Sequence, residues 1–157
     1  MTVVRPTENR DSAAILRIAE REPLFSPQES ATVAELLTDY LHRPDHNGYF
    51  FLTAEADGEV IGFACYGPTP LTRQTYDLYW ICVDREQARR GVGKALMARV
   101  EEEIARAGGR LIVADTSGRA DYAPTRAFYE ALGYSPTARV PDFYAPGDDL
   151  LIYTRRV

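Results

Sequence analysis

Residues 83–96 read VDREQARRGVGKAL: the end of a strand, a basic loop holding Gly91 and Gly93, and the start of an amphipathic helix. The first N–H groups of a helix have no intrahelical partners and carry a partial positive charge, so a helix start there suits an anion. Glycine lets such a ligand approach the backbone closely. Arg89, Arg90 and Lys94 gather cations at the same point in a chain of net charge -5. That local reversal of sign points to a phosphate-bearing ligand; the plainer alternative is a glycine-rich helix start with solvated arginines. Two common phosphate loops do not fit. A P-loop needs Gly where Ala88 stands and Ser or Thr where Ala95 stands, and the dinucleotide fingerprint needs a third small residue where Leu96 stands.

The elements that must position this loop follow from periodicity. A short strand is predicted at 3–5 and a helix at 9–21 carrying Ile15, Leu16 and Ile18. Ser26-Pro27-Gln28-Glu29 is a capping box with Pro at the first helical position, and Val33, Leu36, Leu37, Tyr40 and Leu41 continue it at helical spacing. Two antiparallel strands turn at Asp57-Gly58, and a third strand, 75–83, feeds the basic loop. The helix at 91–107 shows an apolar stripe of Val92, Leu96, Val100 and Ile104, with Glu102 and Arg106 paired on its exposed side. A buried strand at 111–113 should return parallel to 75–83 through a right-handed crossover. Ala123-Pro124 opens a last helix with Phe128 and Leu132 toward the core. Strands near 135–140 and 150–154 are joined by an acidic, aromatic loop at 141–149.

At 157 residues, 45% hydrophobic and 26% charged, the chain fits one globular domain over 1–157. No apolar run approaches the roughly 18 residues of a membrane-spanning helix. The first residues, MTVVRPTENR, lack the apolar core of a signal peptide, so a cytoplasmic protein is expected. Cys65 and Cys82 lie in strand-like runs without metal-ligand spacing and read as buried free thiols. His42 and His46 are four apart, but Pro44 between them breaks the helix a metal pair would need, so no metal site is expected. The acidic balance argues against nucleic acid as the main partner.

The loop at 83–96 resembles the acyl-CoA pyrophosphate loop of the GNAT superfamily of N-acetyltransferases, Gln/Arg-x-x-Gly-x-Gly/Ala after a strand, with Ala88 in place of the usual Gln or Arg. Gln87 stands next to that position as a partial substitute. Two further stretches carry the resemblance. AFYEALGY at 127–134 is similar to the second CoA-side motif, with Tyr122 where Asn is usual and Thr125 where Ala is usual. The register of strand 75–83 places Asp77 on the position of the catalytic Glu of the histone-acetylating branch. The resemblance covers essentially the whole chain. It implies a mixed α+β fold: a largely antiparallel sheet flanked by helices, with a central parallel strand pair and a βαβ acyl-CoA cleft. It also implies acetyl-CoA as co-substrate, held by Ile81, Val83, Ala88, Arg89, Arg90, Gly91, Val92, Gly93, Lys94 and Phe128, and Tyr129 as the proton donor to the departing thiolate, with Tyr122 a weaker substitute.

Acetylating an alkyl amine at neutral pH meets a protonation cost of roughly 4–5 kcal/mol, because the amine has a pKa near 10.4. A carboxylate that takes the proton offsets it. Counting strictly by alternation, Asp77 and Val83 share a strand face and lie about 20 Å apart, comparable to an extended pantetheine arm. Asp77 is therefore the first candidate base and Asp115 the second. Each also has the plain reading of a solvated strand-end carboxylate. The same alternation puts Cys82 on the face opposite Asp77, which favours direct attack by a bound amine over a covalent relay. Asp142, Tyr144, Asp148 and Asp149, with Tyr79 and Trp80, would form an acidic, aromatic mouth suited to a small cationic amine; a solvated turn is the plain alternative. A faint likeness of this loop to enzymes acting on protein N-termini keeps a peptide α-amine open as acceptor. A non-catalytic acyl-CoA-binding module is the competing class, and pairing through the terminal hairpin would give a homodimer.

Overall fold

The computed structural model describes residues 1–43, 48–88 and 91–157. It contains strands β1 (Thr2–Pro6), β2 (Phe50–Ala56), β3 (Glu59–Pro68), β4 (Thr75–Val83), β5 (Leu111–Ser117), β6 (Ser135–Ala145) and β7 (Asp148–Arg156). The helices are α1 (Ser12–Arg21), α2 (Pro27–His42), α3 (Val92–Arg106) and α4 (Ala123–Ala131). The strands form one sheet in the order β1-β2-β3-β4-β5-β7-β6, antiparallel throughout except for the parallel pair β4 and β5. This is the mixed α+β architecture expected from the sequence. It is set by local chemistry. Ser26 and Glu29 exchange both capping-box bonds at the start of α2, Glu29 N to Ser26 Oγ at 3.1 Å and Ser26 N to Glu29 Oε1 at 3.4 Å. Asp57 and Gly58, both at positive φ, turn β2 into β3.

Alternation along β3 sorts the core onto the two sheet faces. Phe63 and Cys65 meet Ile15, Val33 and Leu37 of α1 and α2, while Ala64 and Tyr66 join the layer under α3, with Leu96, Val100 and Ile104. Burying each such aliphatic side chain contributes about 1.5–3 kcal/mol.

Three departures from the sequence reading bear on the site. The first turn of the 9–21 helix is a 3₁₀ turn, Asn9–Asp11, ahead of α1. The 141–149 segment is mostly strand: β6 reaches Ala145 and turns tightly into β7 through the pair Ala145–Asp148. Pro136 and Pro141 are tolerated in β6 because it is an edge strand. Most consequential, β4 carries a bulge. Cys65 pairs with Trp80 but Tyr66 with Leu78, so Tyr79 is an extra residue with no partner on β3. Strict alternation fails there. Tyr76, Leu78, Ile81 and Val83 all pack toward α3, while Trp80 and Cys82 pack toward α1 and α2. Asp77, between Tyr76 and Leu78, therefore lies on the face opposite Val83 and shares its face with Cys82, reversing both expectations drawn from simple counting.

Candidate active site

β4 and β5 pair over four residues only, from Thr75 with Leu111 to Leu78 with Ala114. Beyond the bulge they part, and a cleft of about 560 Å³ opens between them. Tyr79, Trp80 and Ile81 form one wall and Asp115, Thr116 and Ser117 the other. Tyr122, Thr125 and Tyr129 enter from α4 and the turn before it, Tyr144 and Asp148 from the β6–β7 hairpin, Glu22 to Ser26 from the α1–α2 connection, and Glu29 from the first turn of α2. The Tyr122 hydroxyl donates to the Leu24 carbonyl at 3.0 Å, tying that connection to the start of α4.

At the far end of β4 stands the start of α3. Gly91 caps it in the left-handed conformation, φ 73°, and among the described residues no side chain hydrogen-bonds to the cap and nothing lies within 4 Å of where a Cβ would stand. Gly93 is needed for a different reason: a Cβ there would sit 3.0 Å from Phe128 Cε1 of α4 and 3.9 Å from Val83 Cγ2. The structure thus brings Val83, Gly93 and Phe128 together at the helix start, with Val92 buried beneath and Lys94 and Ala88 exposed. Ile81 lies on the cleft wall. The Gln87 carboxamide oxygen is buried. Arg89 and Arg90, named with this group from the sequence, lie outside the described residues, as does His46 of the histidine pair.

Tyr129 is the buried residue of α4, 5% exposed, whereas Phe128 and Leu132 are only half-buried. Of the three, Tyr129 rather than Phe128 or Leu132 is the one most deeply set in the core. Its ring packs among Phe128, Tyr134 and Tyr153 at centroid distances of 5.6, 5.7 and 5.8 Å. It also lines the cleft, and among the described residues its hydroxyl has no hydrogen-bond partner. Burial, and then the charge of Asp115, push this phenol well above its usual range, so it stays protonated. Asp115 opens into the same cleft, and its carboxyl is raised above the usual carboxylate range first by desolvation and then by the like charge of Asp77. Asp77 is paired in register with Val113, where the strands are still joined, and is not part of the cleft lining.

The acidic mouth is only partly as read from the sequence. Tyr79, Trp80, Tyr144 and Asp148 do converge on the cleft. Asp142 and Asp149 instead build the hairpin. Asp142 accepts from Gly147 N at 2.7 Å, and Asp149 accepts from Asp142 N at 2.9 Å and Arg139 Nε at 2.6 Å. Among the lining residues that the sequence did not reveal are Glu22, Phe25, Glu29 and Arg119. Glu29 carried a visible signal as a capping residue, but its second position, beside the cleft, depends on how α2 crosses the sheet.

The sequence matches the model of the acetyltransferase (GNAT) family over residues 13–134, most of its length. The chain belongs to the GNAT family of acetyltransferases. A Desulfovibrio desulfuricans structure assigned to the same GNAT family is 41% identical, covers 99% of each chain and superposes with a TM-score of 0.95. More distant structures share this GNAT fold. They include yncA from Salmonella typhimurium, solved with acetyl-CoA (23% identity, TM-score 0.80, 99% of this chain and 93% of that one). Another is the ribosomal-protein-alanine N-acetyltransferase of Brucella melitensis (20% identity, TM-score 0.78, 99% of both chains). Among curated proteins, none matches this GNAT chain. No helix among its described residues is long and apolar enough to cross a membrane.

Proposed function

We propose that this protein transfers an acetyl group from acetyl-CoA to the primary amine of a small cationic acceptor by direct attack. The observation that carries the reading is the convergence of Asp115 and Tyr129, whose hydroxyl has no hydrogen-bond partner among the described residues, on one cleft beside β4, the strand whose C-terminal end leads to the N-terminus of α3. The residues present suit the co-substrate. The open backbone at Gly91 and the first-turn N–H groups of α3 would hold the pyrophosphate, Phe128 and Val83 would flank it across Gly93, and Ile81 would line the pantetheine path. Acetyl-CoA supplies a thioester carbonyl.

Asp115 takes the proton from the incoming ammonium, directly or through water, so that a neutral nitrogen forms the C–N bond. Tyr129 gives its proton to the sulfur as the C–S bond breaks, easing departure of a thiol with a pKa near 8.5. Asp77 acts on Asp115 through its charge. A covalent relay through Cys82 has no support: the thiol is buried under α1 and burial, with the charges of Glu22 and Asp84, pushes it up to about 12.

The test is free-thiol release from acetyl-CoA over a panel of amines. Acceptor-dependent release should fall about 100-fold in Tyr129→Phe, which keeps the ring packing and removes only the hydroxyl. Full turnover in that variant would remove Tyr129 from the mechanism. A companion prediction concerns the cofactor end. Gly93→Ala forces Phe128 aside and should weaken CoA binding about tenfold by titration calorimetry; unchanged affinity would place the pyrophosphate elsewhere.

A further inference from the structure

We propose that the acceptor is a linear diamine or polyamine, its reacting nitrogen between Asp115 and Tyr129 and a second ammonium held by Glu29 beside the Tyr144 ring. This deepens the amine-acetyltransferase reading and rests on it. Four carboxylates and one guanidinium line the cleft, and most of this charge is already engaged. Asp148 accepts from the Ser117 hydroxyl and faces Arg119 at 3.7 Å. Arg119 also holds Asp121 at 2.7 Å and lies over the Tyr122 ring at 5.5 Å. Glu22 accepts from Leu24 N at 3.0 Å and faces Arg85 at 3.7 Å.

Two carboxylates remain without a counter-ion among the described residues. Asp115 stands at the end of β5, and Glu29, in the first turn of α2, accepts only the long capping bond from Ser26 N. They sit on different walls of one cleft, with Tyr144 within electrostatic reach of both. The ring of Tyr144 supplies a face that attracts an ammonium group. Tyr129, a buried residue that lines the cleft and whose hydroxyl has no hydrogen-bond partner among the described residues, marks the end where the reacting atoms belong. A monoamine answers one of the two free carboxylates. A free amino acid brings a carboxylate into a cleft that is already anionic.

Initial rates with acetyl-CoA over a ladder of linear diamines, monoamines of matched length and a dipeptide amide decide the matter, in the parent and in Glu29→Gln. Glutamine keeps the capping bond to Ser26 and removes the charge. The best diamine should exceed its matched monoamine about tenfold in kcat/KM, chiefly through KM, and the advantage should shrink with added salt. In Glu29→Gln the diamine-to-monoamine ratio should fall toward one. Equal rates for diamine and monoamine, a ratio unaltered by Glu29→Gln, or a dipeptide amide that outruns every diamine would each overturn the proposal while leaving amine acetylation standing. Absence of turnover with every amine, monoamines included, would overturn both.

Discussion

Asp115→Asn lowers acetyl transfer to an amine by about 1000-fold at neutral pH, and the deficit narrows as pH rises. At neutral pH nearly all of an alkyl amine is protonated, so the carboxylate that receives the proton is most needed there; at high pH the solution supplies free amine. In the parent, desolvation and the neighbouring Asp77 raise the carboxyl of Asp115, so the acid limb of kcat/KM should lie above the usual carboxylate range. Asp77→Asn removes the like charge and should shift that limb to lower pH with a much smaller loss of rate. Profiles of kcat/KM against pH for the two variants separate these roles. If Asp77→Asn abolishes turnover while Asp115→Asn keeps it, Asp77 and not Asp115 is the base.

Arg5→Ala costs about 3 kcal/mol of stability, far more than an ordinary surface substitution. Arg5 grips Asp11 with both arms of its guanidinium, Nη1 to Oδ2 at 2.7 Å and Nη2 to Oδ1 at 2.9 Å, and its Nε reaches Glu55 Oε2 at 3.1 Å. Asp11 is 1% exposed; it also accepts from Glu8 N at 2.8 Å and from the Thr53 hydroxyl at 3.3 Å. The network joins β1, β2 and the turn leading into α1. Burial pushes the Asp11 carboxyl up, but the Arg5 fork and the Glu8 N–H outweigh it, leaving the group below the usual carboxylate range. The contribution to stability is therefore fully present above that range and is lost as pH falls through the lowered value. Without Arg5 only the burial and two weaker donors remain, so the penalty should be largest at neutral pH and shrink in acid, where Asp11 can take a proton. Urea unfolding at neutral and acidic pH tests this; a neutral-pH loss below about 1 kcal/mol would show that Glu8 and Thr53 suffice.

Much of the fold was legible because its signals are local. The Ser26–Glu29 box, the Asp57-Gly58 turn and the apolar stripe of α3 each specify their element within a few residues, and β4–α3–β5 follows from the right-handed crossover rule. The same locality made the helix start at Gly91 and Gly93 legible. The site's polar half was less legible. Asp142 and Asp149 resemble Asp148 in sequence, yet they are consumed by hairpin hydrogen bonds that exist only once β6 and β7 are paired. Glu29 reads as a cap and nothing more until α2 is laid across the sheet.

The bulge at Tyr79 shows where the division falls. By itself the sequence determined the elements, their order, the family's fold and the glycine-marked helix start, since each is written in side-chain period, cap chemistry or backbone permissiveness within one segment. Only the tertiary structure decided which carboxylate faces the cleft. A strand's own alternation carries no record of an extra residue, because a bulge arises from pairing with the neighbouring strand, and one unpaired residue reverses the face of everything before it. That reversal places Asp77 opposite Val83, and the parting of β4 and β5 just beyond it leaves Asp115 with Tyr129 in the opening.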